Sequence, residues 1–164
     1  MDRRRKYNPL MLESISPELF IRAHKTDEAV CLHQIDQICF PSDIAFSRGE
    51  LSFYLDHPGS VTRVAELDGR IVGFVVGRVL SHKLAHVLTL DVLPEVRRRR
   101  IGTLLMDSLH AEFRSRAIAR VSLEVSTQNP AARRLYEALQ YRSMEVLRGY
   151  YNNREDACRM ELLL

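Results

Sequence analysis

Arg97, Arg98, Arg99 and Arg100 stand in a row between an apolar, strand-like run over residues 86–93 and a stretch from Ile101 onward whose apolar residues recur at helical spacing. A strand, a basic turn and a helix start in that order form a seat for an anion. The first-turn N–H groups of a helix have no intrahelical acceptors, and the helix dipole adds partial positive charge there. The ligand this seat suits is the pyrophosphate of a cofactor. Downstream, Val121, Leu123 and Val125 alternate with Ser122, Glu124 and Ser126, the period of a strand with one polar face. Glu124 is a mid-strand carboxylate with no obvious structural partner, so it is a candidate proton acceptor; the plainer alternative is a glutamate on a solvated sheet face. His86 heads the apolar run, and an imidazole suits proton relay near neutral pH, although a strand-end histidine is as readily structural. Tyr136 brings a phenol that could donate a proton, or an aromatic ring that packs beside Leu135 and Leu139.

The elements that must position these groups can be read in order. Residues 19–24 read as a first strand. Thr26 or Asp27 then caps a helix whose apolar face is Ala29, Val30, Leu32, Ile35 and Ile38, and Phe40-Pro41 ends it. Residues 47–55 give a second short helix. Residues 61–67 and 71–80 form a hairpin about Asp68-Gly69, the strongest two-residue turn signal. Gly73 and Gly77 in its return strand mark a bulge or a close backbone approach. The strand over 86–93 follows, then a helix from Ile101 to about Ala117 with the stripe Ile101, Leu104, Leu105, Leu109 and Phe113. After the strand around Glu124, Asn129-Pro130 opens a helix to about Leu139. Two strands, 141–148 and 157–163, close the chain across a polar loop. The order β-α-α-β-β-β-α-β-α-β-β specifies one α/β domain with a mixed, mostly antiparallel sheet and a central parallel strand-helix-strand unit.

Composition narrows the class. A chain of 164 residues, 46% hydrophobic and 27% charged, holds one ordinary globular core and leaves little room for a second. Residues 1–16 read as a polar, weakly ordered leader, and 17–164 as the domain. That leader carries charge but no apolar segment behind it, so it is not a secretory signal. No apolar run approaches the ~20 residues a bilayer requires. Cys31, Cys39 and Cys158 are odd in number and form no CxxC or Cys/His cluster, which argues against disulfides and a zinc site and for a reducing cytoplasm. No metal is expected. A net charge of +3 is too mild to indicate nucleic acid, and the four arginines lack interleaved aromatics.

With these elements in place, the chain from about Leu19 to Leu163 resembles the GNAT superfamily of acetyl-CoA-dependent N-acetyltransferases. That family's cofactor motif, Arg/Gln-x-x-Gly-x-Gly/Ala after a strand and proline, is matched by Arg97 and Gly102, with Arg100 where the first glycine usually stands. The segment Glu124-Val125-Ser126-x-x-Asn129-x-Ala131-Ala132-x-x-Leu135-Tyr136 is similar to the LEVxxxNxxAxxLYxxxGF signature of protein N-terminal acetyltransferases, with Gln140-Tyr141 for the final Gly-Phe. Gly149-Tyr150-Tyr151 with Glu155-Asp156-Ala157 resembles the GYY…EDA ending of the same subgroup, and Phe40-Pro41 matches its FP pair. The subgroup comprises RimI-type ribosomal-protein-alanine acetyltransferases and archaeal N-terminal acetyltransferases.

The resemblance implies the GNAT fold and transfer of an acetyl group from acetyl-CoA to an amine, most specifically the α-amino group of a protein N-terminus, with ribosomal proteins among the candidates. It implies Glu124 as general base, Tyr136 as proton donor to the departing thiolate, and His86 beside the acceptor amine. It places CoA along Leu90, Asp91 and Val92, with a strand bulge near Val92, and on Arg97, Arg98, Arg99, Arg100, Ile101, Gly102, Thr103, Asn129 and Tyr136. It places the acceptor between Phe40-Pro41 and the loop tyrosines Tyr150 and Tyr151. Two alternatives stand beside this one: a family member that acetylates a small amine or a lysine side chain, and a non-catalytic peptide- or RNA-binding module.

Overall fold

The computed structural model describes residues 18–164; the leader expected over 1–16 lies outside them. The observed order matches the expected one. It runs β1 (Leu19–Ala23), α1 (Ala29–Cys39), α2 (Arg48–Asp56), β2 (Ser60–Leu67), β3 (Arg70–Val79), β4 (Leu84–Val92), α3 (Ile101–Ser115), β5 (Arg120–Ser126), α4 (Pro130–Ala138), β6 (Arg142–Tyr151) and β7 (Glu155–Leu163), with single 3₁₀ turns at Thr26–Glu28 and Pro94–Val96. The seven strands form one sheet in the order β1-β2-β3-β4-β5-β7-β6. Every neighbouring pair is antiparallel except β4 with β5.

Local chemistry accounts for most boundaries. Ser47 caps α2 by accepting from Glu50 N–H, and the Glu50 carboxylate accepts from Ser47 N–H in return. Asp68 and Gly69 both take positive φ, 50° and 79°, the conformation of a tight hairpin turn. The first helix departs from expectation. Neither Thr26 nor Asp27 caps it; a 3₁₀ turn precedes it, and Glu28 reaches back to accept from Lys25 N–H. Its apolar face is also narrower than its spacing implies, because Val30 and Ile38 are exposed while Leu32 and Ile35 are buried. At the other end of the chain, β6 and β7 run further than expected, so Tyr150 and Tyr151 lie on a strand rather than in a loop.

The main core lies between α3 and strands β2–β4. Ile101, Leu105, Met106, Leu109 and Phe113 of α3 are fully enclosed, while Leu104 of the expected stripe is exposed. Gly77 permits the contact: a Cβ there would come within 2.6 Å of Phe113 Cζ. Gly73 is equally constrained, since its Cβ would meet Asp91 O at 2.6 Å. Overpacking at sites like these costs roughly 1–3 kcal/mol.

The bulge in β4 falls at Leu88, not near Val92. Val76 pairs with Thr89 and Gly77 with Val87, which leaves Leu88 without a partner across β3. One extra residue reverses which side chains share a face. His86, before the bulge, faces the α1/α2 side of the sheet; Leu90 and Val92, after it, face α3. An unbroken strand would put all three together. No helix among the described residues is long and apolar enough to cross a membrane.

Candidate active site

Strands β4 and β5 pair only where Leu84–His86 meet Arg120–Ser122, and then diverge. The divergence opens a groove of about 1270 Å³ through the sheet, beyond the ~300–1,000 Å³ of drug-sized pockets. Leu90, Val92, Gly102, Leu135 and Tyr136 line it toward α3 and α4; Phe40, Tyr54, His86, Glu124 and Tyr150 line it toward α1 and α2. One cavity therefore joins both faces of the sheet, and the bulge at Leu88 lets a single strand serve both.

At the α3 end the arginine turn has the backbone of an anion seat. Arg98 and Arg100 take φ of 62° and 61°, the left-handed region, and Arg100 is the residue before the helix, with no side-chain cap on the first-turn N–H groups. This is a conformation that favours glycine, the residue the resemblance implies at this position. Arginine adopts it at a strain of about 1–2 kcal/mol. Arg98, Arg100, Ile101, Gly102 and Thr103 line the groove. Arg97 lines it too, but its Nε donates to Val92 O at 2.9 Å, tying the turn to the strand end.

Two expected cofactor positions do not face the groove. Arg99 and Asp91 are not among the residues that line it, and Asp91 is buried, accepting from Thr89 Oγ1 at 2.6 Å. Burial pushes the Asp91 carboxyl well up, with the nearby Asp36 carboxyl adding to the effect.

The residues present fit a CoA-like ligand. A Cβ at Gly102 would lie 3.4 Å from Leu135 Cδ2 and farther from Leu90 and Val92, all ordinary contacts. Packing within the protein thus does not require glycine there, and the bare backbone opens onto the groove. Asn129 lines the groove while its Oδ1 caps α4 by accepting from Ala132 N–H at 3.1 Å.

In mid-groove, Glu124 has the partners its sequence context hid. Its Oε2 lies 2.9 Å from His86 Nε2 and its Oε1 3.3 Å from Arg159 Nε, and Arg159 also grips Glu145 at 2.7 Å. Burial pushes the Glu124 carboxyl up, but the hydrogen bonds of His86 and Arg159, with the Arg159 charge, outweigh it and hold the group below its ordinary value. Glu124 is therefore ionised at neutral pH and can accept a proton. Its opposing register partner on β7 is Arg159, which could be inferred only once the strand pairing was known. His86 Nδ1 lies 2.8 Å from Ser122 Oγ.

Tyr136 is buried against Tyr141, ring centroids 5.7 Å apart at 63°. Burial, then the neighbouring Asp91 and Tyr151, push its phenol above the ordinary range, so the group keeps its proton until a strong base is beside it. On the acceptor side, Phe40, Pro41, Tyr150 and Tyr151 all line the groove. Burial first, then Tyr150, push the Tyr151 phenol up to about 12. Asp36, Asp43, Tyr54 and Asn152 join this wall without any sequence signal. Asp36 holds the 40–47 loop by accepting from Phe46 N–H at 2.8 Å.

Comparison with known proteins agrees with this geometry. The Acetyltransferase (GNAT) family matches residues 29–141. An uncharacterised N-acetyltransferase of Methanocaldococcus jannaschii is 32% identical over 87% of this chain and 90% of its own. An N-alpha-acetyltransferase of Saccharolobus solfataricus is 28% identical over 84% of this chain and 88% of its own. The crystal structure of the ribosomal-protein-S18-alanine N-acetyltransferase of Escherichia coli superposes with a TM-score of 0.82 at 25% identity, covering 89% of this chain and 94% of that one. The chain belongs to the GNAT acetyltransferase family. It is an acetyl-CoA-dependent N-acetyltransferase.

Proposed function

We propose that this enzyme acetylates the α-amino group of polypeptide N-termini in the cytoplasm, ribosomal proteins being one acceptor class to test. The observation that carries the reading is the groove itself: it runs from the arginine turn on one face of the sheet to the Phe40/Tyr150 wall on the other, with Glu124 between them. The named relatives from Saccharolobus solfataricus and Escherichia coli support the acceptor class.

Each residue then has a chemical task. Bound acetyl-CoA supplies the acetyl group as a thioester. Arg98, Arg100 and the first-turn N–H groups of α3 hold its phosphates, and Gly102 lets the backbone approach them. Phe40, Pro41, Tyr150 and Tyr151 seat the acceptor's first residues. An α-ammonium group titrates near ~8, so Glu124 needs to take only one proton, directly or through water, to free the attacking nitrogen. The free edge of β4 beyond His86 offers main-chain donors for charge that develops on the carbonyl oxygen. Tyr136, whose phenol has kept its proton, gives it to the sulfur as the thiolate leaves.

The test is incubation of the purified protein with acetyl-CoA and a peptide library varied at its first residues, read by fragment mass spectra. Acetyl groups on α-amino nitrogens support the reading. Acetylation confined to lysine side chains or free amines overturns it.

A further inference from the structure

Ser122 shares the polar face of β5 with Glu124, and parallel pairing sets His86 beside it. The imidazole lies between two groups, with Ser122 Oγ 2.8 Å from Nδ1 and Glu124 Oε2 2.9 Å from Nε2. The direction of these bonds follows from which groups own hydrogens. Glu124 also faces the Arg159 guanidinium at 3.3 Å, which favours its ionised form, and an ionised carboxylate only accepts. The ring nitrogen facing it must therefore carry a hydrogen. In the neutral ring this leaves Nδ1 with a bare lone pair, and a hydroxyl at 2.8 Å satisfies it by donating.

We propose that Ser122 is a positioning residue of the acetyl transfer: its hydroxyl, donating to His86 Nδ1, anchors the imidazole so that the Nε2–H required by Glu124 stays aimed at that carboxylate. The opposite tautomer would turn a lone pair toward the carboxylate and leave Glu124 without its shortest hydrogen bond. A hydroxyl also rotates. It can accept from Nδ1–H when the ring gains a proton, so His86 can change charge without changing place. A second cavity of about 410 Å³ is lined by Ser122, His86 and Glu124 together with Arg120, Tyr150 and Glu161. It gives water room beside this line of groups, on the sheet face that α1 and α2 leave uncovered.

This role rests on Glu124 being the proton acceptor, and it is tested on whichever acceptor in the peptide library, α-amine or lysine, the enzyme acetylates. Failure of the N-terminal reading alone therefore leaves the test intact. Nitrogen NMR of ¹⁵N-histidine-labelled full-length protein, with His86→Gln to assign the signals, reads the tautomer directly. The expected wild-type result at neutral pH is Nε2 protonated and Nδ1 unprotonated. In Ser122→Ala the ring loses its second anchor, the Nδ1 signal moves away from its hydrogen-bonded position and kcat falls about 10-fold, part of the ~10²–10⁴ that a general base contributes. KM for acetyl-CoA stays unchanged, the thermal midpoint moves by no more than about 3 °C, and Ser122→Thr restores both the Nδ1 signal and kcat. A wild-type ring with its hydrogen on Nδ1 overturns the proposal. So does a Ser122→Ala enzyme whose Nδ1 signal or kcat is that of the wild type.

Discussion

Asn152 Nδ2 donates to Asp43 O at 2.6 Å although 109 residues separate them in the chain. The bond joins the turn after β6 to the segment after α1, and both residues line the groove. The turn is shaped for it: Gly149, Asn152 and Asn153 all take positive φ, and Gly149 N–H donates to Asp156 Oδ1 at 2.8 Å. A link across the acceptor side narrows the approach to a chain end presented lengthwise. Asn152→Ala removes one neutral hydrogen bond, about 0.5–1.5 kcal/mol. Steady-state kinetics should therefore show KM for acceptor peptides raised about 2–10-fold, with KM for acetyl-CoA unchanged. An acceptor KM equal to wild type would mean that the two segments hold their places independently.

Arg159 is placed to set the working range of Glu124. Its guanidinium and the His86 ring hold the carboxyl down against burial, which acts to raise it. In Arg159→Gln one of the two supports is lost and the folded-state value rises. The enzyme then loses its proton acceptor at a higher pH than wild type, so the acid limb of the kcat/KM profile moves upward in pH. Glu124→Gln, which cannot accept, should lower kcat by about 10²-fold or more and abolish that limb. A profile that stays in place in Arg159→Gln would detach Arg159 from the chemistry.

Element order and the parallel β4–α3–β5 unit were legible because each leaves a local mark: a period, a turn dipeptide or a proline; that Glu124, Tyr136 and His86 would meet at one site came only from the family resemblance. The partners of Glu124 left none. Arg159 reaches it through a register between strands far apart in sequence, and Asn152 reaches Asp43 across the groove. The bulge at Leu88 was misplaced for the same reason, since the extra residue shows only in the pairing with β3. The departures from the family motif became intelligible with backbone angles. Arg100 and Gln140, both in place of glycine, take φ of 61° and 70°. Tyr141, in place of phenylalanine, has its hydroxyl 2.8 Å from His110 Nε2.

Arg100→Gly separates backbone strain from charge. Glycine relieves about 1–2 kcal/mol of left-handed strain but adds about 0.5–1 kcal/mol of unfolded-state entropy. The net is stabilisation by up to about 1.5 kcal/mol, a thermal midpoint raised by no more than about 6 °C. The exposed guanidinium contributes to phosphate binding at the scale of a surface charge pair, about 0.2–1 kcal/mol. Titration calorimetry should then show acetyl-CoA bound up to about 5-fold more weakly. Tighter binding in the variant would mean that the side chain obstructs the seat it borders.

The buried pair of His110 on α3 and Tyr141 before β6 makes folding stability depend on pH. Burial, reinforced by the charge of Arg114, lowers the His110 pKa to about 4, whereas an unfolded histidine titrates near ~6.5. Between those values the unfolded chain binds a proton that the folded one does not, so stability falls as pH drops. The loss begins near pH 6.5 and reaches about 3 kcal/mol by pH 4. Glu28 and Glu112, each held low by an arginine hydrogen bond, add losses only below the ordinary carboxylate range. In the same interval His24, also lowered by burial, acts in the same direction, and Asp91, pushed up by burial, acts in the opposite one, so His110 is isolated by substitution rather than by pH alone. Urea unfolding at pH 7, 6 and 5 should show a falling midpoint for the wild type. In the doubly substituted His110→Leu/Tyr141→Phe protein, which removes both polar partners and leaves neither unpaired, that slope should flatten by the His110 share, about 2 kcal/mol between pH 7 and 5. A slope unchanged in the double variant would assign the acid sensitivity to another group, His24 first.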